Sequence, residues 1–335
     1  MTRALIVHPG PSFSVADVHS GILGGLRANG CTVLDFNLGD RLTFFAEARL
    51  KRRGRYVAPF DDAQAIALAA DSLKNACYEW WPHVVVVISA FFIPTSVLDL
   101  MRHRGHKVVI VHTESPYEDD RQLERAEYAD LNLLNDPTNI DRFPRARYLP
   151  HAYDPAVHHP GDGTATCDFA FVGTGFGSRR TFLEAVDWSG IDAVIGGNWQ
   201  GIDDTSPLRP LIGHAIDECV DNTDTADLYR SARTSMNLYR READRPELAA
   251  GWAMGPREVE LAACGTWFAR DPRPEGDELL SMLPTFSGPE ELGDQIRWAL
   301  AHPTQRQAAA DQARAAVAPR TFEANAAHLL AAAGV

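Results

Sequence analysis

Short apolar runs alternate with longer amphipathic segments along the first half of the chain. Runs rich in β-branched residues predict strands at residues 3–8, 32–36, 83–89, 107–112 and 131–134. Segments with apolar positions three or four apart predict helices at residues 15–29, 61–81, 94–104 and 119–128. Residues 38–60 show neither pattern and are predicted to be loop. Strands that alternate with helices are typical of a parallel sheet with crossover helices.

The second half repeats this alternation. Strands are predicted at residues 167–172, 192–195, 234–239 and 266–269, and helices at residues 179–186, 226–231, 256–264, 289–301, 304–317 and 322–333. Between the halves, residues 148–163 are rich in proline and glycine, as is typical of a domain boundary. The pattern predicts an α/β protein with domains at residues 1–150 and 151–318. A C-terminal helix, 319–335, follows, and packing back on the first domain is one expected arrangement for it.

Composition narrows the classes of function. With 335 residues, 45% of them hydrophobic and 23% charged, the chain is typical of a globular protein with more than one domain. The net charge of −13 argues against a general nucleic-acid binder. One local run, residues 49–55, is strongly basic, and it is either a solvated loop or a contact to an anionic acceptor or surface.

Two further features predict a cytoplasmic protein. The five cysteines are odd in number and scattered, as is typical of reduced thiols, and the first residues lack a signal-peptide pattern. No apolar run approaches the length of a membrane span.

Arg257 and Glu260 are the most informative pair of charged residues. They lie three apart in a predicted helix that precedes a predicted strand, so they share one helix face near the edge where parallel sheets bind ligands. A guanidinium group can bind phosphate, and a carboxylate can bind a pair of ribose hydroxyls. A surface salt bridge between the two side chains is the alternative.

A glycine-rich turn follows the first strand of the second half. Gly173 and Thr174 lead into a helix that carries Arg179 and Arg180, an arrangement in which backbone N–H groups can approach a phosphate. Ser178 stands where a dinucleotide-binding turn would have its third glycine. A tight strand-to-helix connection without a ligand is therefore the alternative.

Polar and aromatic residues also follow the next two strands. Asn198 and Trp199 come after one strand, where the indole could stack on a planar base, and Asn237 and Tyr239 end the next. A buried amide must find a hydrogen-bond partner, which is either a ligand or a loop carbonyl.

The first half offers candidates for a catalytic base. His112 closes one predicted strand and Glu114 comes two residues later, and the loop from His8 to Ser12 lies at the end of another. Asp17, together with His19, lies in the first turns of the first helix. A histidine or carboxylate at such a place can bind a sugar hydroxyl or accept its proton. For each of them taken alone, a cap or a structural hydrogen-bond partner is the favoured interpretation.

Several of these motifs together resemble those of a known family. Phe171-Val172-Gly173-Thr174, Asn198-Trp199, Met236-Asn237-Leu238-Tyr239 and Pro256-Arg257-Glu258-Val259-Glu260-Leu261-Ala262-Ala263-Cys264-Gly265 occur in the order and spacing of the CgeB-like (spore maturation) glycosyltransferases. The resemblance is specific from about residue 145 onward. It implies a GT-B fold, in which two Rossmann-like parallel-sheet domains face each other across a cleft.

The resemblance also implies roles for these residues. Glu260 would hold the ribose of a nucleoside-diphosphate sugar, and Gly173, Thr174, Arg179, Arg180 and Arg257 would lie near its diphosphate. Asn198 and Trp199 would lie near the base, Asn237 and Tyr239 would line the pocket, and His112 would face the donor sugar. The first domain would bring an acceptor of unknown type. Trp252 departs from the pattern of related retaining enzymes, which carry a glutamate at that position.

The resemblance therefore implies a glycosyltransferase, and its relatives favour retention of the anomeric configuration. No metal or other cofactor is expected, since cationic side chains and backbone donors can stabilise the departing diphosphate. The chain has no Asp-x-Asp motif. A nucleotide-sugar epimerase on the same fold and a catalytically degenerate sugar-nucleotide-binding protein, suggested by Trp252, are the alternatives.

Overall fold

A computed structural model describes residues 1–11, 15–243 and 246–335. The chain divides into two units, one formed by Met1–Pro150 with Phe322–Val335, the other by His151–Thr321. Ser12, the end of the predicted loop after the first strand, lies outside the described residues.

Unit 1 is built on a six-stranded parallel sheet with the order β2-β1-β5-β6-β7-β8. Its strands are β1 (Arg3–Val7), β2 (Thr32–Phe36), β5 (Val84–Ile88), β6 (Lys107–His112), β7 (Leu131–Leu134) and β8 (Ala146–Tyr148). The central strand β5 consists of four valines and an isoleucine, all fully buried. Such a run is typical of a parallel strand that is covered by helices on both faces.

The helices of unit 1 are α1 (Ala16–Ala28), α2 (Leu38–Ala46), α3 (Asp62–Trp80), α4 (Thr95–His103), α5 (Asp119–Ala126) and α12 (Phe322–Ala333). A capping box begins α3, since Asp61 Oδ1 accepts the N–H of Gln64 and Gln64 Oε1 accepts the N–H of Asp61. On the other face of the sheet, α12 packs against α1. A side chain at Gly21 or Gly25 would overlap Phe322, so these glycines permit the close approach of the two helices.

Residues 38–60 are not the loop that the sequence predicts. They form α2, which begins after Asn37, and an antiparallel hairpin of β3 (Leu50–Arg52) and β4 (Arg55–Val57). The Oδ1 atom of Asn37 accepts the N–H of Asp40 and so caps α2. The basic run lies on this hairpin, where Arg49, Lys51, Arg53 and Arg55 are exposed.

Unit 2 contains a four-stranded parallel sheet with the order β10-β9-β11-β12. Its strands are β9 (Cys167–Val172), β10 (Ala193–Gly196), β11 (Ala232–Asn237) and β12 (Trp267–Arg270). Its helices are α6 (Gly177–Glu184), α7 (Asn222–Arg230), α8 (Pro256–Cys264), α9 (Pro274–Leu279), α10 (Pro289–Ala301) and α11 (Pro303–Val317). Helix α8 has proline as its first residue and ends at Gly265, whose φ of 74° is left-handed. Both units are thus Rossmann-like α/β layers, as the sequence predicts.

Candidate functional site

Two glycine turns meet at the carboxyl edge of the unit 2 sheet. Gly173 follows β9 and Gly197 follows β10, and the N–H of Gly173 donates to the carbonyl of Gly196 over 3.0 Å. Gly197 has a φ of +101°, and a Cβ atom on it would lie 2.5 Å from the carbonyl oxygen of Gly173. Only glycine fits this contact, and it leaves backbone near the surface at the point where parallel sheets of this type bind ligands.

Arg257, in the first turn of α8, reaches this edge and joins the ends of two strands. Its Nε donates to the carbonyl of Val172 over 2.9 Å, and its Nη1 donates to Asn237 Oδ1 over 3.1 Å. The guanidinium carbon lies 4.8 Å from the centroid of the Phe171 ring. A Cβ atom on Gly173 would lie 2.7 Å from Arg257 Nη2, so the cation rests directly against the glycine turn. A cation that is fixed at the carboxyl edge of a parallel sheet is suited to an anionic ligand.

Asn237 ends β11 beside this arginine and has a buried donor atom without a partner. The residue is 2% exposed, its Oδ1 is held by Arg257, and its Nδ2 has no hydrogen-bond partner among the described residues. A buried amide donor left unpaired costs about 1–3 kcal/mol. The atom lies 4.0 Å from the position of a Cβ on Gly255, directly before α8. An acceptor oxygen of a ligand at this helix start would remove the cost.

Glu260 follows Arg257 by one turn of α8, as the spacing predicts. Its side chain is 15% exposed, and burial raises the pKa of its carboxyl to about 7, against the opposing charge of Arg257. Oε1 lies 4.0 Å from Nε2 of His158, a buried histidine. Sequence analysis missed His158 because it lies in the proline-rich boundary segment, where nothing in the pattern sets it apart.

Arg179 and Arg180, near the start of α6, hold the loops of this edge. Arg179 is buried, and it donates from Nε to the carbonyl of Leu238 and from Nη1 to that of Thr174, each over 3.1 Å. Arg180 donates from Nη1 to the carbonyl of Gly201. Thr174 is exposed. Both arginines therefore bind main-chain carbonyls and fix the shape of the turn.

Trp199 has a different environment from the one that the sequence suggests. The residue is fully buried, its Nε1 donates to the carbonyl of Gly196 over 3.0 Å, and its ring packs edge-on to Phe171. Gly175 makes room for it, because a Cβ there would lie 2.5 Å from the indole. An enclosed indole leaves no face on which a base could stack. Asn198 is part-exposed and uses its side chain locally, with Nδ2 donating to the carbonyl of Asp217.

Tyr239 and Glu258 support the start of α8 from below. Tyr239 Oη donates to Glu258 Oε2, and both oxygen atoms accept the N–H of Gly255, over 3.1 and 2.9 Å respectively. Glu258 is fully buried, and burial raises its pKa to about 7. Tyr239 is 7% exposed and is covered by the guanidinium of Arg273. Sequence analysis did not select Glu258, although a glutamate three residues after the N-cap is the signal of a capping box.

In unit 1, His112 is enclosed by its own domain. It is 1% exposed, its Nε2 pairs with Asn132 Oδ1 over 2.8 Å, and burial lowers its pKa to about 4. Asn132 donates its Nδ2 to the carbonyls of Ala126 and Pro144, so its Oδ1 faces the histidine and the imidazole donates from Nε2. A neutral, enclosed imidazole that is occupied in this way holds β6 and β7 together and is not accessible to a substrate.

The other candidates of unit 1 are more open. Glu114 and Asp17 are both part-exposed. His8 is also part-exposed, and its ring centroid lies 5.0 Å from that of His19, whose Nε2 is 3.2 Å from Asp35 Oδ1. Burial lowers the pKa of both histidines, that of His19 to about 4. Two neutral imidazoles and a carboxylate therefore form a row at this end of β1.

The described residues contain neither a candidate membrane span nor a candidate metal site. No helix among them is long and apolar enough to cross a membrane. Within residues 1–11, 15–243 and 246–335, no group of three or more histidine, cysteine, aspartate or glutamate side chains is arranged to hold a metal ion.

Solved structures show that the fold is that of the GT-B glycosyltransferases. Sucrose-phosphate synthase from Thermosynechococcus elongatus is 12% identical, with 98% of this chain and 97% of that chain covered and a TM-score of 0.66. An α-glucosyltransferase in complex with UDP is 13% identical, with 96% of each chain covered and a TM-score of 0.65. Anabaena Alr3699/HepE in complex with UDP-glucose is 11% identical, with 99% of this chain and 100% of that chain covered and a TM-score of 0.63.

Sequence comparison matches only part of the chain to a family. Residues 179–331 match a family model described as glycosyl transferase-like. No curated protein sequence matches the chain. The match covers most of unit 2, including Asn237, Arg257 and Glu260.

Proposed function

We propose that the protein is a glycosyltransferase that moves a sugar from a nucleoside-diphosphate sugar to an acceptor hydroxyl, and that unit 2 binds the donor. One arrangement carries the proposal. The Arg257 guanidinium lies against the glycine turn, the unpaired Nδ2 of Asn237 lies beside it, and Glu260 follows one turn later on α8. The GT-B fold and the family match over residues 179–331 support it.

Each part of the donor has a proposed partner in this arrangement. The diphosphate binds at the start of α8, beside the turn at Gly173, where Arg257 and Asn237 Nδ2 donate to its oxygen atoms. Glu260, once ionised, accepts hydrogen bonds from the two ribose hydroxyls. Arg179, Arg180 and Thr174 shape the turn, and Tyr239 with Glu258 holds Gly255 in place. Asn198 lies near the base, and Trp199 has no place in the proposed site.

The proposed chemistry is departure of the diphosphate from the anomeric carbon. Negative charge grows on the leaving group in the transition state, and Arg257 stabilises it because the hydrogen bonds to Val172 and Asn237 fix the guanidinium in advance. This charge stabilisation requires no metal ion. We extend the proposal to retention of the anomeric configuration, which rests on the CgeB-like resemblance, and proton NMR of the product tests it. Of the unit 1 candidates for the base, Asp17 and Glu114 keep that role in the proposal, whereas the enclosed His112 does not.

Thermal unfolding with a panel of nucleoside diphosphates and sugar nucleotides tests donor binding. A ligand at 100 times its Kd stabilises the folded state by about 2.7 kcal/mol. For a unit of this size, that corresponds to a rise in Tm of about 5–11 °C. UDP-glucose is the first probe, because two of the similar structures contain UDP or UDP-glucose.

Matched variants make this test specific. Arg257→Met and Glu260→Gln should lose most of the shift, whereas Glu290→Gln, an exposed glutamate in the first turn of α10, should keep it. The absence of a shift with every nucleotide would refute the donor site. If a donor binds, product analysis separates the alternatives: transfer to an acceptor supports the proposal, interconversion of the donor supports an epimerase, and neither supports a binding protein.

A further inference from the structure

A cavity of about 330 Å³ lies in unit 2 between the start of α6 and the residues before α10. Tyr239, which holds the start of α8 through Glu258, is one of its lining residues, whereas Arg257, Asn237 and Glu260 are not. Its walls come from the start of α6, from the segments after β11 and β12, and from the residues before α10. The volume is at the small end of the range for small-molecule sites.

One side of the cavity is aromatic. The rings of Phe182 and Phe286 lie 5.4 Å apart between centroids with an interplanar angle of 42°, and Leu238 and Pro272 extend this apolar surface. The other side is polar. Arg241 donates from Nη2 to both carboxylate oxygens of Asp271, over 2.8 and 2.7 Å.

The charges around the cavity are paired within the protein. Asp271 is 6% exposed at its side chain and balances Arg241, which is 53% exposed. The positive end of α6 is balanced by Glu242, whose Oε1 accepts the N–H of Ser178 over 3.0 Å and whose Oε2 accepts its hydroxyl over 3.1 Å. The carboxylates of Asp271 and Glu242 already bind the cation and the donors that a phosphate would need, so an anionic ligand is disfavoured here. A neutral ligand with many hydroxyl groups and one apolar face matches both sides of the cavity.

We propose that this cavity binds a neutral sugar ring, and that the Arg241–Asp271 pair orients its hydroxyl groups. The ring packs its apolar face on Phe182, which is part-exposed, while Phe286 is buried and packs against Phe182. Its source is either the glycosyl group of the donor or a sugar unit of the acceptor. Assigning the ring to the donor or to the acceptor rests on the proposed function. The binding of a sugar ring in the cavity does not depend on that function.

Two measurements on the full chain test the proposal. Saturation-transfer NMR detects binding of the methyl glycosides of glucose, galactose, mannose and N-acetylglucosamine. Calorimetry compares the sugar nucleotide that gives the largest thermal shift with its parent nucleoside diphosphate. The variants are Arg241→Met, which removes the charged donor, and Arg241→Lys, which keeps the charge but replaces the planar guanidinium by an ammonium group. Arg297→Met is the matched control, since Arg297 pairs with Asp187 at the surface of unit 2.

The two sources of the ring give different results. If the cavity holds the glycosyl group of the donor, Arg241→Met weakens the sugar nucleotide about tenfold, as for the loss of one charge-assisted hydrogen bond, and leaves the nucleoside diphosphate unchanged. If it holds a sugar of the acceptor, sugar-nucleotide affinity is unchanged and the methyl glycoside signal is lost. Arg297→Met should match the wild type in every measurement.

Four results separate failure of this proposal from failure of the proposed function. Equal sugar-nucleotide and glycoside binding in the wild type and Arg241→Met would overturn the cavity assignment, and so would the absence of glycoside binding together with equal sugar-nucleotide affinity. Binding of inorganic phosphate that depends on Arg241 would overturn it in favour of an anion site. Glycoside binding that depends on Arg241, without binding of any nucleotide, would support the cavity while refuting the glycosyltransferase proposal.

Discussion

The raised pKa of Glu260 makes donor binding in the proposed site dependent on pH. Burial raises this pKa to about 7, and only 15% of the side chain is exposed. A carboxylate that accepts hydrogen bonds from two ribose hydroxyls must be ionised, so the protonated form has to release its proton on binding. For a pKa of 7, affinity at pH 6 is about 11-fold below its limit and at pH 8 about 1.1-fold below it. The expected change is about tenfold, or about 1.4 kcal/mol.

Isothermal titration calorimetry at pH 6, 7 and 8 measures this dependence. The titrant is a sugar nucleotide, because its diphosphate is esterified at both ends, whereas the terminal phosphate of a free nucleoside diphosphate titrates at about pH 6 and would add its own dependence. At pH 6, buffers with different ionisation enthalpies should reveal the release of nearly one proton per donor bound. Glu260→Gln should bind more weakly and without this pH dependence, while Glu290→Gln should follow the wild type.

Two results would refute the reasoning. Wild-type affinity that changes less than twofold between pH 6 and 8 would show that Glu260 does not ionise on binding. A tenfold change that persists in Glu260→Gln would assign the proton to another group. Either result would refute the link between the raised pKa of Glu260 and donor binding.

Three further predictions concern stability, each measured by thermal or denaturant unfolding. Gly175→Ala should destabilise the folded state by about 1–3 kcal/mol, because its Cβ would lie 2.5 Å from Trp199. Gly213→Ala is the control and should be near neutral, because nothing lies within 4 Å of its Cβ position. Equal effects of the two substitutions would contradict the packing argument. Tyr239→Phe should lower the free energy of unfolding by about 1–3 kcal/mol, because it removes a hydrogen-bond donor to the buried Glu258. An unchanged free energy of unfolding would mean that this hydrogen bond is dispensable. Burial raises the pKa of Glu258 from 4.5 to about 7, so the folded state binds its proton more tightly. The contribution of this group to the free energy of unfolding is therefore full below pH 4.5 and is lost as pH rises through 7. Glu258→Gln should flatten the pH profile of stability between pH 4.5 and 7, and an unchanged profile would contradict this assignment.

The order of the elements was predictable because short apolar runs rich in β-branched residues identify the strands locally. Cys167–Val172 and Lys107–His112 are strands with the predicted bounds. Helix α8 begins at Pro256 and ends at Cys264, directly before Gly265, as the proline and the glycine at its two ends indicate. Helix α2 was missed because its apolar stripe is broken, with Phe44 being 73% exposed. The β3–β4 hairpin was missed because its turn uses Arg53 at a φ of 47°, a conformation that non-glycine residues rarely adopt.

The candidate site was predictable only where one helix supplies the residues. Helical spacing alone relates Arg257 to Glu260. Trp199 and His112 also follow strands at the expected edge, yet both are enclosed, because Gly175 makes room for the indole and Asn132 holds the imidazole. These partners lie on other elements, and no local pattern indicates them. The cavity beside Arg241 likewise depends on residues from four separate segments.

The return of α12 to unit 1 has a consequence for how the protein is synthesised. Helix α1 forms early in translation, but its glycine face at Gly21 and Gly25 stays uncovered until residues 322–335 leave the ribosome, after all of unit 2. Unit 2 is one continuous segment and needs no residue beyond Thr321 to complete its core. A purified chain that is truncated before residue 322 is therefore expected to keep a native unit 2 and to have an incomplete, protease-sensitive unit 1.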